Sequence, residues 1–211
     1  MAALATMLSI SSQLDDLALV EAAQQGDRSA MDQLLRRHYD RIYAVCRRVT
    51  GHDADAADAT QEAMIALVRG LAKFDGRSSF STWSYRIATN ASLDELRRRR
   101  RRPQLEGRVI ETNPGASIAE RPDPHAGVHL NAVGDRLLLD QALADLPEDF
   151  RLPVVLRDVA DLDYSAIAEV LEIPVGTVKS RIARGRSALA ATLGRQFGNQ
   201  TDTIERQTPA S

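Results

Sequence analysis

The sequence is poor in aromatic residues and in cysteine, and each shortage excludes a class of protein. Aromatic residues make up 4% of the 211 residues, which disfavours β-sheet because strands are enriched in aromatic side chains. Cys46 is the only cysteine, so the chain can form neither a disulfide framework nor a cysteine-based metal site. The apolar neighbours Ile42, Val45 and Val49 predict that Cys46 is a buried structural thiol.

Long apolar runs and catalytic motifs are also missing. No run of about 18 apolar residues occurs, so we expect no membrane insertion. Residues 1–14 lack the basic start of a secretory signal, and we interpret them as a flexible leader of a cytoplasmic protein. No phosphate-cradling glycine loop, nucleophile motif or metal-ligand spacing is present, so we expect no catalytic residue, no metal and no cofactor, and therefore no enzyme. The histidines, which are dispersed, are His38, His52, His125 and His129.

Lysine is scarce, and the basic residues are concentrated locally. Of the 27 basic residues only Lys73 and Lys179 are lysine, and the others are arginine. The planar fork of arginine matches phosphates and guanine edges, although an arginine-rich genome would give the same ratio. The formal net charge is -2, yet six arginines stand together at Arg97–Arg102 and a second basic segment follows later. Two separate cationic surfaces suggest a protein that holds a nucleic acid at two points.

Apolar residues at three- and four-residue spacing predict helices along most of the chain. Gly26 and Gly51 end the first two predicted helices, and the third covers Asp53–Leu71. Ser79 or Ser81 begins the fourth, which continues into the arginine run. The loop before it, residues 74–79, is rich in turn-forming residues.

The same patterns divide the chain into two small helical domains. Residues 15–102 form the first domain, and residues 130–197 form the second. Residues 103–129 contain scattered proline and glycine with little periodicity, and we interpret them as a flexible linker. Residues 198–211 are polar, and we expect a disordered tail. The predicted fold is therefore all-α.

The second domain contains a helix-turn-helix pattern. A short helix over residues 162–171 is followed by a turn at Glu172–Pro174, where proline cannot continue the first helix. The next helix begins near Val175 or Gly176. On a helical wheel its apolar residues fall on one arc, which we expect to be buried. These residues are Val175, Val178, Ile182, Gly185 and Leu189.

The opposite side of that second helix carries polar and cationic residues suited to the major groove. Arg184 is placed to read a guanine, while Thr177 and Ser180 are short groups that permit close approach. The flanking cations, placed to contact phosphates, are Lys179, Arg181 and Arg186. Residues 173–201 contain no acid, whereas residues 140–172 contain nine. The alternative is a solvated basic helix that packs against an acidic partner helix.

Several ordered motifs resemble those of bacterial sigma factors. The segments similar to the second conserved sigma region are DATQEA at 58–63, Lys73-Phe74, and FSTWSYRIATN at 80–90. Those similar to the fourth region are Leu146-Pro147 and PVGTVKSR at 174–181. Because only these two regions occur, the chain resembles, over about residues 15–193, the extracytoplasmic-function group (group 4) of the sigma-70 family.

The resemblance implies a protein that binds core RNA polymerase, directs it to promoter DNA and helps to open the promoter. It implies that the first domain binds the minus-10 element and the second binds the minus-35 element. It also implies contacts with the clamp helices and the flap of the polymerase, and control by an anti-sigma factor. The residues that match the clamp-binding surface are Asp58, Gln61, Glu62 and Ile65.

The resemblance further implies a minus-10 surface built from the loop at 74–79 and the fourth helix. Its members are Phe74, Arg77, Ser78, Ser79, Trp83, Arg86, Asn90, Arg97 and Arg98. Structural alternatives stand beside these roles. Phe74 could be a buried staple of the loop, Trp83 could belong mainly to the core, and Asn90 could face solvent. The arginine run could serve only as a cationic helix end.

Two positions depart from the family pattern and leave the promoter sequence undetermined. Ala183 stands where an aromatic residue often precedes the arginine of the recognition helix, and Ser84 stands where many members have an apolar residue. The alternative function is a stand-alone helix-turn-helix regulator, which would bind duplex DNA by itself, usually as a dimer. Such a regulator would not need Asp58, Gln61 and Glu62 or the loop at Phe74.

Overall fold

The computed structural model of the protein describes residues 15–101 and 137–205, with side chains as far as residue 195. Within these ranges it contains eight α-helices, one 3-10 turn and no strand, which confirms the prediction of an all-α fold. The helices are α1 (15–24), α2 (Arg28–Thr50), α3 (Asp53–Gly70), α4 (Phe80–Arg101), α5 (137–145), α6 (Glu148–Asp158), α7 (Tyr164–Leu171) and α8 (Val175–Glu205). The predicted leader at 1–14 and the predicted linker at 103–129 lie outside the described residues.

Local sequence signals set the helix ends in the first domain. Asp27 caps α2, because its carboxylate accepts hydrogen bonds from the backbone N–H of Ser29 at 2.8 Å and of Ala30 at 3.2 Å. Gly51 ends α2 in the left-handed region with φ 78°, which glycine adopts without strain. The Ser79 hydroxyl accepts from the backbone N–H of Thr82 at 3.0 Å and so begins α4.

The core of the first domain lies between α2, α3 and α4. Its largest fully buried side chains include Leu34, Ile42, Leu67 and Tyr85. Cys46 is buried in this core, as its apolar flanks predicted, and burial raises the pKa of its thiol. The thiol is therefore a packing group.

A buried polar group fastens α1 to α2. The Asp16 carboxylate lies 2.8 Å from Nε2 of His38 and accepts a hydrogen bond from Nη1 of Arg37 at 2.9 Å. Burial alone would raise the pKa of Asp16, but hydrogen bonds and charges from His38 and Arg37 hold it below its ordinary value. The pairing compensates the cost of burying a carboxylate.

The second domain is built from α5 to α8, and α7 and α8 form the predicted helix-turn-helix. Glu172 occupies the turn with φ 54°, a left-handed conformation, and ends α7. The inward arc of α8 is largely as predicted, since Val178 and Ile182 are buried. Gly185 lies against α6, where an added Cβ would come within 2.7 Å of Cγ2 of Val154. Glycine therefore allows the two helices to cross closely.

Two features of α8 differ from the sequence prediction. Val175 was expected on the buried arc but is 38% exposed, because it is the first residue of the helix and projects beyond the elements that cover the arc. The helix also continues to Glu205, past residue 198, where a tail was expected to begin.

The two domains pack against each other through a buried arginine. Arg151 of α6 is only 8% exposed, and its guanidinium donates to the backbone oxygen of Val49 at 2.6 Å. It also donates to Ala144 O and Leu146 O, both at 2.9 Å. Carbonyl groups at helix ends lack intrahelical donors and carry partial negative charge, so they accommodate the cation, although burial lowers its pKa.

Candidate nucleic-acid and polymerase interface

The loop at 74–79 is anchored by an aromatic cluster. Phe74 is 8% exposed, and its ring centroid lies 4.9 Å from that of Trp83 and 6.1 Å from that of Phe80. Trp83 is partly buried against the core. This packing fits the structural alternative for Phe74, a staple that holds the loop. A base that stacks on Phe74 would first have to displace a neighbouring ring.

The tip of the loop presents Arg77 and Ser78. Gly76 turns the chain with φ 71°, and Asp75 accepts a hydrogen bond from the backbone N–H of Arg77 at 3.2 Å. That backbone hydrogen bond is the main cause that holds the pKa of Asp75 below its ordinary value. Ser79 is committed to capping α4. Arg77 is exposed at the tip, where its guanidinium is paired with the Asp75 carboxylate, and Ser78 is half-exposed beside it.

A polar cavity of about 510 Å³ adjoins the loop. It combines aromatic side chains with cations and has two acids, Asp75 of the loop and Glu169 of the second domain. Cations suit phosphates, and aromatic rings suit a base that stacks on them. The lining residues include Lys73, Phe74, Arg77, Ser78, Trp83 and Arg86.

The outer face of α4 lies opposite the second domain. Asn90 is exposed and Arg86 is half-buried, and both line a cleft of about 420 Å³ between α4 and the second domain. Glu172 of the turn and Arg181 of α8 line the opposite side of this cleft. The predicted minus-10 and minus-35 surfaces thus meet across one cleft.

The arginine run at the end of α4 is exposed but paired with acids. Each of four consecutive arginines lies within 4 Å of a carboxylate oxygen. The pairs are Arg97–Asp94 at 2.9 Å, Arg98–Glu95 at 2.6 Å, Arg99–Asp55 at 3.0 Å and Arg100–Glu148 at 3.8 Å. The pairs with Asp94 and Glu148 are exposed and contribute little stability, so a phosphate can replace these two acids at low cost. The side chains of Glu95 and Asp55 are only 2% and 15% exposed, so leaving either carboxylate unpaired would be costly.

The cations of α8 differ in their surroundings. Arg181 lies 3.2 Å from Asp149, Arg186 is paired with Asp158, and the Lys179 ammonium lies 5.5 Å from the centroid of the Tyr164 ring. Arg184 is exposed and has no hydrogen bond or ion pair with any described residue. The alternative, in which the basic helix packs against an acidic partner helix, is met in part, because α6 pairs among the described residues with Arg181 and Arg186 but not with Arg184.

The short polar residues of α8 lie at its start. Ser180 is exposed, and its hydroxyl donates to the backbone oxygen of Thr177 at 3.0 Å. Thr177 is half-buried. Ser180 lies about one turn and Thr177 about two turns before Arg184, so the predicted reading residues lie within two turns of one helix.

The outer face of α3 is polar and uncovered. Asp58, Gln61 and Glu62 are exposed, and Ile65 is half-buried beside them. Val68 extends this face with 46% of its surface exposed, although sequence reasoning did not include it. Its position three residues after Ile65 was the available signal.

Comparison with known proteins decides the family. Residues 34–102 match the family model for Sigma-70 region 2, and residues 136–189 match the model for Sigma-70, region 4. The ECF RNA polymerase sigma-E factor of Haemophilus influenzae is 36% identical over 181 residues, which cover 84% of this chain and 94% of that protein. The chain belongs to the extracytoplasmic-function group of the sigma-70 family. Members of this family are transcription-initiation factors.

A second relative and two solved structures are also similar along most of their length. The ECF sigma factor SigW of Bacillus subtilis is 34% identical over 177 residues, 82% of this chain and 94% of that protein. The solved structure of CnrH in complex with the cytosolic domain of CnrY matches with a TM-score of 0.62 and 25% identity, over 86% of this chain and 98% of that one. RpoE of Bartonella quintana, solved with the anti-sigma factor NepR, has the same fold at 20% identity and a TM-score of 0.59, over 77% of this sigma factor and 96% of that chain.

The described part of this sigma factor offers neither a membrane span nor a metal site. No helix within 15–101 or 137–205 combines the length and hydropathy that a bilayer requires. In the same ranges no three His, Cys, Asp or Glu side chains come together as metal ligands.

Proposed function

We propose that this protein is a cytoplasmic subunit of RNA polymerase holoenzyme that selects promoters and has no catalytic activity of its own. One observation carries this function. The chain pairs an uncovered polar face on α3 with two separate basic surfaces, on α4 and on α8. A DNA-binding regulator needs the basic surfaces but gives the α3 face no role. A subunit that joins core polymerase to DNA uses all three.

The α3 face is the proposed contact with the clamp helices of core polymerase. Its exposed acids make no ion pair with any described residue, so they are available to cations of a partner. Ile65 and Val68 add apolar area beside them. A polar rim around a small apolar centre is the usual composition of a protein interface.

The loop tip and its adjoining cavity are the proposed minus-10 reader. Arg77 and Ser78 offer hydrogen bonds to a base that has left the duplex stack, and Lys73 and Arg86 offer charge to its phosphates. Unstacking a base costs a few kcal/mol, which such a pocket offsets. The exposed side of α8 is the proposed minus-35 reader, in the major groove.

An anti-sigma factor is the proposed regulator. CnrH, to which this chain is similar, was solved with a partner's cytosolic domain bound. The packing of the two domains supports the same kind of control here, because Arg86 and Asn90 face the second domain across a cleft. A partner that favours this arrangement would keep both DNA surfaces from a promoter.

The test is run-off transcription with purified core polymerase on a genomic promoter pool. We expect promoter-specific transcripts from the wild-type protein. The double charge reversal Asp58→Arg and Glu62→Arg should reduce core binding at least tenfold, since like charges replace complementary ones. The control reverses two exposed acids elsewhere in the first domain, Glu21 and Asp40.

The outcomes separate the candidate functions. Equal loss of core binding in both double variants would remove α3 from the interface. Tight, dimeric, sequence-specific duplex binding by the chain alone, without promoter-specific transcripts, would favour the stand-alone regulator.

A further inference from the structure

A residue outside the region 2 match holds the base of the minus-10 loop. The family model begins at residue 34, whereas Gln24 lies at the end of α1. Its side-chain amide Nε2 donates to the backbone oxygen of Leu71 at 2.9 Å and to that of Phe74 at 2.8 Å. One amide therefore bridges the 3-10 turn that follows α3 and the first residue of the loop.

The two carbonyl groups lie where the loop begins, so a hydrogen bond to them can fix the position of the loop. They belong to residues whose side chains are buried, with Leu71 at 2% and Phe74 at 8% exposed. Fixing the carbonyl of Phe74 fixes the direction in which the chain leaves toward Asp75. From there the turn at Gly76, with φ 71°, and the hydrogen bond from the Arg77 N–H to Asp75 keep the tip as one unit.

The loop tip is not supported by close packing of described residues on the side that faces α1. A cavity of about 250 Å³ lies beneath it, lined by Asp16 and Leu17 of α1 and by the loop from Gly76 to Phe80. Side chains next to a void lose contacts on that side. The position of the tip therefore depends on its two ends, where Ser79 caps α4 and Gln24 holds the other end.

We propose that Gln24 is a positioning residue for promoter selection: its amide sets the register of the loop tip against the minus-10 strand. The inference rests on the proposed function, in which Arg77 and Ser78 contact a flipped base. Gln24 is itself exposed, so water can satisfy the carbonyl groups if the amide is lost. Water restores hydrogen bonding but not the fixed distance between α1 and the loop, so selectivity depends on Gln24 more than stability does.

The experiment uses holoenzyme and a promoter library randomised over both elements. Gln24→Met keeps the length of the side chain and removes the donors. We expect preference at the loop-contacted minus-10 position to fall about fivefold, which corresponds to one net hydrogen bond of about 1 kcal/mol. Minus-35 preference and core affinity should stay unchanged. Gln24→Lys, which restores donors, should recover most of the preference, and Gln24→Glu, which places acceptors against carbonyl groups, should lose the most.

The matched control is Gln25→Met, since Gln25 is an exposed neighbour whose side chain has no hydrogen bond to any described residue. Minus-10 preference that is identical in the Gln24→Met, Gln25→Met and wild-type proteins would overturn the proposal. So would a Gln24→Met variant that loses activity equally on all library members together with thermal stability, because that marks a purely structural role.

A loop-tip variant distinguishes failure of this inference from failure of the function itself. Ser78→Ala should alter minus-10 preference if the loop contacts a base. If Ser78→Ala and Arg77→Ala both leave preference unchanged, the loop does not select bases and both proposals fall. If they alter preference and Gln24→Met does not, only the positioning role is lost.

Discussion

The four cations on the outer side of α8 have different neighbours, and this separates their expected roles. Arg181 and Arg186 are paired with acids of α6, and Lys179 lies over the Tyr164 ring. These contacts hold their side chains at the flanks of the helix, where phosphates are close in a major-groove complex. Of these four cations only Arg184 lies on the exposed side without a hydrogen bond, ion pair or aromatic contact to a described residue.

Replacing Arg184 with Ala is expected to cost about 1–3 kcal/mol of promoter affinity and to relax preference at one minus-35 base pair. Replacing Lys179 with Ala should weaken binding to all sequences and lower the salt slope by about one. The measurement is transcription from a library randomised across the minus-35 element at several salt concentrations. An unchanged base preference in the Arg184 variant would remove it from the reading set.

The crossing of α8 over α6 depends on one glycine in the middle of the recognition helix. At Gly185 an added Cβ would lie 2.7 Å from Val154 Cγ2 and 3.2 Å from the backbone oxygen of Phe150. Val154 is buried, and a backbone atom cannot rotate away. Helix propensity alone would favour alanine here by up to about 1 kcal/mol, so tertiary packing has overridden it.

Gly185→Ala is therefore expected to destabilise the protein by about 1–3 kcal/mol through overpacking. The matched control is Gly194→Ala on the same helix, where an added Cβ meets nothing within 4 Å. That change should be neutral or stabilise by up to about 1 kcal/mol. Urea unfolding followed by circular dichroism gives both free energies. Equal stability of the two variants would show that α6 and α8 do not cross this closely.

The arrangement of the two domains is incompatible with simultaneous binding of both promoter elements at the proposed surfaces. Positions -35 and -10 are about 25 base pairs apart, roughly 85 Å of duplex at about 3.4 Å per base pair. In this structure Asn90 of α4 and Arg181 of α8 line the same cleft. We therefore expect the domains to separate when they bind a promoter, and the 35 residues from 102 to 136 could span up to about 120 Å when extended.

We propose that Arg151 holds the two domains together in this packed arrangement, because its guanidinium joins Val49 of the first domain to the second domain. Arg151→Met keeps most of the side-chain volume but leaves the buried carbonyl groups unpaired, at about 1–3 kcal/mol. We expect the free variant to show a larger radius of gyration by small-angle X-ray scattering. It should also bind single-stranded minus-10 oligonucleotide more tightly than the wild-type protein does.

The control for the Arg151 variant is Arg157→Met on the same helix. Arg157 also donates to a backbone oxygen, that of Leu162 at 2.7 Å, but this contact stays within the second domain. The control should therefore leave the radius of gyration unchanged. Expansion of both variants would indicate general loosening of α6, and expansion of neither would show that Arg151 does not keep the domains together.

The sequence by itself determined the features that depend on neighbours along the chain. The C-terminal end of α2 was predictable because Gly51 acts on backbone groups within one turn. The inward arc of α8 was predictable from helical periodicity, and so was the exposure of Arg184 opposite it.

Only the tertiary structure decided which element packs against each face of a helix. Periodicity shows that a residue lies on an apolar arc but not whether another element reaches it, which is why Val175 is exposed. The burial of Phe74 against Trp83, left open by the sequence, depends on the approach of α4 to the loop. The contacts of Gln24 with the loop and of Arg151 with Val49 join residues 47 to 102 positions apart, and no local pattern specifies a partner at that distance.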